Sequence, residues 1–247
     1  MSKSIKNSIP NIFTALNLSC GVIGIIVALH FSMPLIACYL MFLAAFFDLL
    51  DGLAARLLNA YSKIGKELDS LSDVVSFGVL PGVLMFKLMF AVDATTMSSL
   101  LLFGGSNQYM LFIPAIAIII PIAAAFRLAK FNTEEQTLSV FYGLSSPAAA
   151  MFVAAIILNS HTLPILQSMD LIVALAILAL ISVLLSLLML SKIKFLSFKF
   201  KSFSFKNNYL TYIFAICSLL LIIFLGFNDS LIWILLIYII ISIIFAK

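Results

Sequence analysis

Residues 34–92 read PLIACYLMFLAAFFDLLDGLAARLLNAYSKIGKELDSLSDVVSFGVLPGVLMFKLMFAV, and this stretch decides the fold. Its two flanks are apolar runs of the length, about 20 residues, that a helix needs to cross a hydrocarbon core about 30 Å thick. Neither run alternates polar and apolar over about 10 residues, as a membrane β-strand does, so both are read as helices. Between them lies a short polar hinge, Asn59 to Lys63, bracketed by Asp48, Asp51, Asp69 and Asp73. Asp48, Asp51, Gly52 and Ala55 stand at i, i+3, i+4 and i+7 and share one helical face. Gly65, Asp69 and Asp73 stand at i, i+4 and i+8 and share a face of the next helix. The short hinge makes the two helices neighbours, so the two aspartate pairs are predicted to face each other.

The rest of the chain extends the same reading. Of 247 residues, 64% are hydrophobic and 10% charged, against about 45–50% and about 25% in soluble domains. A soluble fold cannot cover that much apolar surface. The predicted class is all-α, a polytopic transmembrane bundle of about eight spans: 11–31, 34–56, 69–92, 109–129, 143–159, 169–191, 208–227 and 230–246. Lys3 and Lys6 precede an apolar run that continues into the other spans without a small-residue cleavage site, so a retained first helix is expected.

Charge orients the bundle. With eight spans, thirteen of the fourteen cationic residues fall on one side: Lys3, Lys6, Arg56, Lys63, Lys66, Arg127, Lys130, five lysines between Lys192 and Lys206, and Lys247. Loops around 32–33, 93–108, 160–168 and 228–229 contain no Lys or Arg. Cations stay cytoplasmic during insertion, which predicts both termini in the cytoplasm. Lys87, the exception, is expected to snorkel to the far interface. The basic, phenylalanine-rich segment KIKFLSFKFKSFSFK (192–206) suits an interfacial loop on anionic headgroups. Wedged between spans, it is not read as a nucleic-acid patch, although it has the stacking recipe.

Four carboxylates near one membrane face are costly: a single one at the bilayer centre costs about 2.5–3.5 kcal/mol even on insertion scales. They also repel one another unless something positive sits among them. Oxygen-only ligation suits a hard divalent cation such as Mg²⁺ or Mn²⁺. Four carboxylates suffice for two such ions, the arrangement that clamps phosphoryl oxygens in displacement reactions. Gly52, Ala55 and Gly65 are expected to let the helix backbones approach. The competing readings are structural ion pairs with Arg56, Lys63 and Lys66, or an ion path in a cation transporter. His30 and His161 map to the far side, so no His-activated nucleophile is available.

The string DLLDGLAARLLNAYSKIGKELDSLSD (48–73) resembles the signature of the CDP-alcohol phosphatidyltransferase family. It matches at Asp48, Asp51, Gly52, Ala55, Arg56, Gly65, Asp69 and Asp73, and the resemblance covers the first six spans. IPNIFTALNLSCG (9–21), SDVVSFGVLPG (72–82), FRLAKFN (126–132), FYGLSSPAAA (141–150) and LMLSKIKFLSFK (188–199) look like the bacterial integral-membrane phosphatidylserine synthases within it. Lys130 stands where arginine is usual there, and Ser145 where proline is usual.

The resemblance implies a catalytic core over 1–191, with 192–247 adding a basic loop and two further helices. It implies that the four aspartates bind two divalent ions holding the pyrophosphate of a CDP-diacylglycerol donor, with Asp73 also acting as general base. It places Arg56 on a donor phosphate, beside Gly52, Ala55 and Gly65, and Asn11 and Thr14 near the nucleotide; the alternative for those two is helix capping and back-bonding. Serine is the implied acceptor, with Arg127 the best candidate for its carboxylate and Lys130 and Asn132 beside it. A homodimer in the bacterial cytoplasmic membrane, with the site at the cytoplasmic face, is also implied. The rivals are the same chemistry on glycerol 3-phosphate or inositol (phosphate), which would call for a denser basic cluster, and a prenyltransferase, whose acidic motifs normally lie far apart.

Overall fold

The computed structural model describes residues 3–60, 62–92, 113–133, 141–159, 161–195 and 209–245. It is the all-α bundle that the apolar runs predict. Helices α1 (Lys3–Leu29) and α2 (Pro34–Leu58) double back across a tight turn at 30–33 and form the most extensive helix pair. Asn59 ends α2 in the left-handed conformation, φ 49°, which an asparagine tolerates. Ser62 then caps the next helix, its hydroxyl accepting the Gly65 N–H at 2.9 Å, a favoured N-cap arrangement.

From that cap the chain runs without a break through α3 (Lys63–Val74), a π-turn over Val75–Val79, and α4 (Leu80–Val92). The span therefore starts six residues before the predicted Asp69, because hydropathy does not register the polar first turns. The π-turn has a local cause. Pro81 has no N–H for the carbonyl four residues back, and its ring crowds that carbonyl. Widening the preceding turn relieves this, and the Leu80 N–H bonds to the Val75 carbonyl instead. Such one-turn bulges recur at functional sites, and this one begins two residues after Asp73.

A 3₁₀ turn at Pro114–Ile118 leads into α5 (Ile119–Thr133), followed by α6 (Ser146–Leu158), α7 (Thr162–Gln167), α8 (Leu171–Leu190), α9 (Tyr209–Leu225) and α10 (Phe227–Phe245). A two-residue ladder ties the start of α6 to the end of α8: β1 (Phe141–Tyr142) pairs antiparallel with β2 (Lys194–Phe195). Gly143 makes this possible. At φ +74° its N–H reaches the Ile193 carbonyl, and a Cβ there would strike the Met189 carbonyl oxygen.

Six described helices are long and apolar enough to cross a membrane: Ser8–Leu29, Pro34–Leu58, Lys63–Val92, Pro114–Thr133, Leu171–Leu190 and Phe227–Ile244. The predicted spans five and seven are shorter apolar helices, Ser146–Leu158 and Thr211–Leu225. At 1.5 Å per residue the 13 residues of α6 reach only about 20 Å. Most of that helix is buried inside the bundle, against α2, α4 and α10. The interior is filled by Met41, Phe77, Leu80, Leu84, Met85, Ile120, Leu175 and Leu178. Outside, Leu57, Phe126, Ile172, Leu187, Ile223 and Phe224 are exposed, an apolar surface suited to lipid rather than water.

The two ends of the bundle differ as the charge pattern predicts. The Asn132 amide donates to Ser70 Oγ at 2.8 Å and Lys66 Nζ to the Asn132 carbonyl at 3.4 Å, so the ends of α5 and α3 that carry Arg127, Lys130, Lys63 and Lys66 meet. Lys87 lies at the other end, donating to Ser32 Oγ in the α1–α2 turn at 3.3 Å. The span ends at 109–112 and 208, most of the basic segment 192–206, and Lys247 lie outside the described residues.

Candidate active site

The site is built where α1, α2 and α3 cross near the aspartate end. Asp48 and Asp51 project from α2 and Asp69 from α3, and each offers a carboxylate oxygen within 4.8 Å of the other two. The helical spacing read from the sequence thus brings the pairs face to face. Asp51 is buried, and Asp48 and Asp69 are half-buried. Among the described residues no salt bridge ties the four aspartates to Arg56, Lys63 or Lys66, the pairs that the structural ion-pair reading calls for. One oxygen of Asp69 is buried with no hydrogen-bond partner among the described residues. Three close carboxylates, no salt-bridged cation among the described residues and an orphaned buried oxygen fit a divalent cation, a hard ion that takes oxygen ligands.

Asp73 stands outside that set of three. It is buried one turn beyond Asp69, and one of its oxygens accepts the Asn17 side-chain N–H at 3.1 Å. The α1 face behind the site is a polar stripe at helical spacing: Asn11, Thr14, Asn17 and Gly21. Each member meets a site element. Thr14 Oγ1 lies 2.8 Å from Asp51 Oδ2 and 3.1 Å from the Pro10 carbonyl. Its single proton serves either, so both sequence readings of Thr14 are present in one side chain. A Cβ on Gly21 would strike Ser76 Oγ, which donates to the Asn17 carbonyl at 3.0 Å. Removing that methyl position lets α1 and the π-turn touch.

Asn11 does not cap a helix. Helix α1 begins at Lys3, because its first turns are polar and hydropathy misses them, so Asn11 lies in the helix interior. Its Oδ1 sits 2.9 Å from where a Gly65 Cβ would project. Gly65 therefore admits a close approach, but of α1 through Asn11 rather than of α2, the neighbour the sequence suggests. Gly52 does not: a Cβ there meets nothing within 4 Å, so the α2 surface beside Asp51 opens into free space rather than onto a neighbouring helix. Ala55 is half-buried on the same side, and Arg56 is exposed on the last turn of α2.

The three candidate acceptor residues separate on α5. Arg127 turns inward, its Nε buried and without a hydrogen-bond partner among the described residues, within electrostatic reach of Asp73 and of Tyr238 on α10. Lys130 is exposed. Asn132 spends its side-chain N–H on Ser70, as above. Ser145 caps α6, its hydroxyl accepting the Ala148 N–H at 3.3 Å, so the residue that replaces proline here has a local role. His30 and His161 are exposed and contribute nothing to the site.

Two residues near the carboxylates escape a reading of the sequence. Asn17 is discoverable: it lies one turn past Thr14 on the same stripe, and a polar amide inside a span rarely lacks a partner. Tyr238 carries no such signal. A lone phenol in an apolar helix has the same pattern as an interfacial anchor, and only packing shows that it approaches Arg127.

Comparison with known proteins agrees with this geometry. The family model described as CDP-alcohol phosphatidyltransferase matches residues 7–189. The chain is 33% identical over 177 residues to the CDP-diacylglycerol–serine O-phosphatidyltransferase of Helicobacter pylori (strain ATCC 700392 / 26695), covering 71% of this chain and 68% of that one. It is 35% identical over 146 residues to the enzyme of the same name from Bacillus subtilis (strain 168), covering 59% of this chain and 72% of that one. It is also 32% identical over 154 residues to the archaetidylserine synthase of Methanothermobacter thermautotrophicus, covering 62% and 58%.

Proposed function

Because the chain belongs to the CDP-alcohol phosphatidyltransferase family, we propose that it transfers the phosphatidyl group of CDP-diacylglycerol to L-serine, giving phosphatidylserine and CMP. The observation that carries the chemistry is the triad Asp48, Asp51 and Asp69, three carboxylate oxygens within 4.8 Å of one another. The choice of serine as acceptor is supported by the named activities of the similar proteins and by the sparse basic residues at the site. Arg127 is a single inward guanidinium, enough for one carboxylate.

Asp48, Asp51 and Asp69 hold the divalent cations, Mg²⁺ or Mn²⁺, with Asp73 as a further ligand. When bound, these ions supply the positive charge that neutralises the donor pyrophosphate and the departing CMP. The residues of the chain do the rest. The open surface beside Gly52 admits the donor headgroup, with Ala55 and Gly65 keeping the walls low and Arg56 reaching a donor phosphate. Asn11 and Thr14 line the nucleotide side, and Thr14 also orients Asp51. Arg127 binds the serine carboxylate, with Lys130 and Asn132 at the rim.

Asp73 takes the serine hydroxyl proton as that oxygen attacks the phosphatidyl phosphorus. The new P–O bond forms as the bond to CMP breaks, and no covalent enzyme intermediate is needed. The acyl chains stay in the bilayer against the exposed apolar helix faces. We place the protein in a bacterial cytoplasmic membrane with the site at the cytoplasmic face, on the one-sided Lys and Arg pattern, and as a homodimer, on the family resemblance.

The test is CMP release by the purified protein with CDP-diacylglycerol, Mn²⁺ or Mg²⁺, and serine, against glycerol 3-phosphate, inositol and no acceptor. Serine-dependent release, abolished by chelator and in Asp73→Asn, is the expected result. Release with another acceptor alone would retain the chemistry and reject serine. No release with any acceptor would reject the reading altogether.

A further inference from the structure

Four identical residues are asked to do two jobs, and the structure holds a device that separates them. Asp48, Asp51 and Asp69 group within 4.8 Å, while Asp73 stands apart with one oxygen engaged by Asn17 Nδ2 at 3.1 Å. We propose that Asn17 is the positioning residue that keeps Asp73 as the proton acceptor, by occupying one of its oxygens and leaving only the other to be shared between cation and substrate. The inference rests on the reading of Asp73 as base.

Asn17 is suited to this. It is fully buried, with 0% exposure, so its rotamer is confined by packing and its hydrogen bond is not exchanged with water. Its own backbone is pinned to the opposite helix: the Asn17 carbonyl accepts from Ser76 Oγ at 3.0 Å, at the crossing where Gly21 allows contact. The amide direction follows from chemistry, since turning Oδ1 toward Asp73 would set an acceptor against a carboxylate. The neighbouring hydroxyls are committed elsewhere, Ser72 Oγ to the Leu68 carbonyl and Ser76 Oγ to Asn17 itself, and Arg127 acts on Asp73 through charge. Without Asn17, Asp73 has no side-chain donor among the described residues and can swing both oxygens toward the other three acids. With a cation bound it would then serve as a fourth full ligand, with no oxygen left for the substrate proton.

The experiment compares Asn17→Leu with wild type in three readouts: kcat for CMP release, KM for serine, and Mn²⁺ affinity measured directly without substrates. The expected outcome is a fall in kcat of about tenfold or more, as for loss of a hydrogen bond to a charged group. KM for serine stays within about threefold, and Mn²⁺ binds at least as tightly as in wild type. Asn17→Asp keeps the shape and replaces the donor by an acceptor; it is expected to show the same split and serves if the leucine variant does not fold. Unchanged kcat in a folded variant, or Mn²⁺ affinity lost in step with kcat, overturns the proposal. Failure of the functional reading looks different, because wild type itself would then release no CMP.

Discussion

The helix Lys63–Val92 and the helix Phe227–Ile244 are both apolar enough to span a bilayer, yet 56% of the most apolar stretch of the first is buried in protein and only 11% of the second. The first carries Asp69, Asp73, Ser76 and a π-turn, and touches α1, α5 and α6. The second presents Trp233, Ile240, Ile243 and Ile244 outward, with Tyr238 half-buried toward Arg127. Hydropathy therefore says that a segment belongs in the membrane, not whether its neighbours are lipids or helices. Lipid is as apolar as leucine, so there is no hydrophobic penalty to distinguish the two surroundings. Polar atoms and missing side chains do distinguish them, because each needs a particular partner.

Substitutions that treat the two helices differently test this contrast. The largest effect is expected on the buried helix at Asp69→Asn, with CMP release falling on the order of 10³-fold, the scale of losing a preorganised charge contact. Mn²⁺ binding should weaken together with activity; a variant that keeps both would separate the carboxylate triad from the chemistry. Next comes Gly21→Val on α1, whose added side chain strikes Ser76 of the buried helix. Overpacking of this kind costs about 1–3 kcal/mol, visible as a lower unfolding temperature in detergent. On the exposed helix, the lipid-facing Ile240→Ala should stay within about 0.5 kcal/mol, as surface changes do. Equal shifts in the two would erase the distinction between the helix surfaces.

Gly52→Ala should separate stability from function. Its Cβ meets nothing within 4 Å among the described residues, and alanine improves helix propensity by about 1 kcal/mol, so the variant should unfold at a slightly higher temperature. It should also raise KM for CDP-diacylglycerol roughly tenfold, the order of one misplaced methyl group in a binding site. An unaltered KM would mean that the open surface is not the donor's. The smallest effect on activity is expected on the exposed helix, at Tyr238→Phe. Loss of one hydroxyl beside Arg127 should raise KM for serine roughly 2–10-fold, leaving KM for the donor unchanged. A donor effect instead would assign Arg127 to the phosphate side.

Much of the site is legible in the sequence alone. A charged residue inside an apolar run needs a partner, and spacing of three and four residues leaves little choice about the face it occupies, so Asp48, Asp51 and Asp69 meet as their positions require. Lys87 reaches Ser32 at the far interface for the same kind of reason. Where sequence and structure differ, the cause is of another kind. Asn11 reads as a helix start because KSIKN is polar, although polar turns extend a helix as well as apolar ones do. Gly52 reads as a helix contact because glycine permits one, but permission is not contact, and no described residue lies within 4 Å of a Cβ there. The separation of Arg127, Lys130 and Asn132 follows from the same helical geometry that unites the aspartates. At about 100° per residue, Lys130 is turned about 60° from Arg127 and Asn132 about 140°, so Lys130 is exposed and Asn132 meets Ser70 of α3 rather than sharing the surroundings of Arg127.

The sequence by itself determined that this is a membrane bundle, which end carries the charge, and that carboxylates from two consecutive helices share a site. These are consequences of solvent, length and helical period, all local or compositional. Only the tertiary structure decided that α1 forms the rear wall, that Asn17 takes hold of Asp73, and that a tyrosine from the last long helix comes within electrostatic reach of Arg127. Those contacts join residues 56 and 111 positions apart, and no periodicity links them; they exist because small residues such as Gly21 let particular helix faces approach.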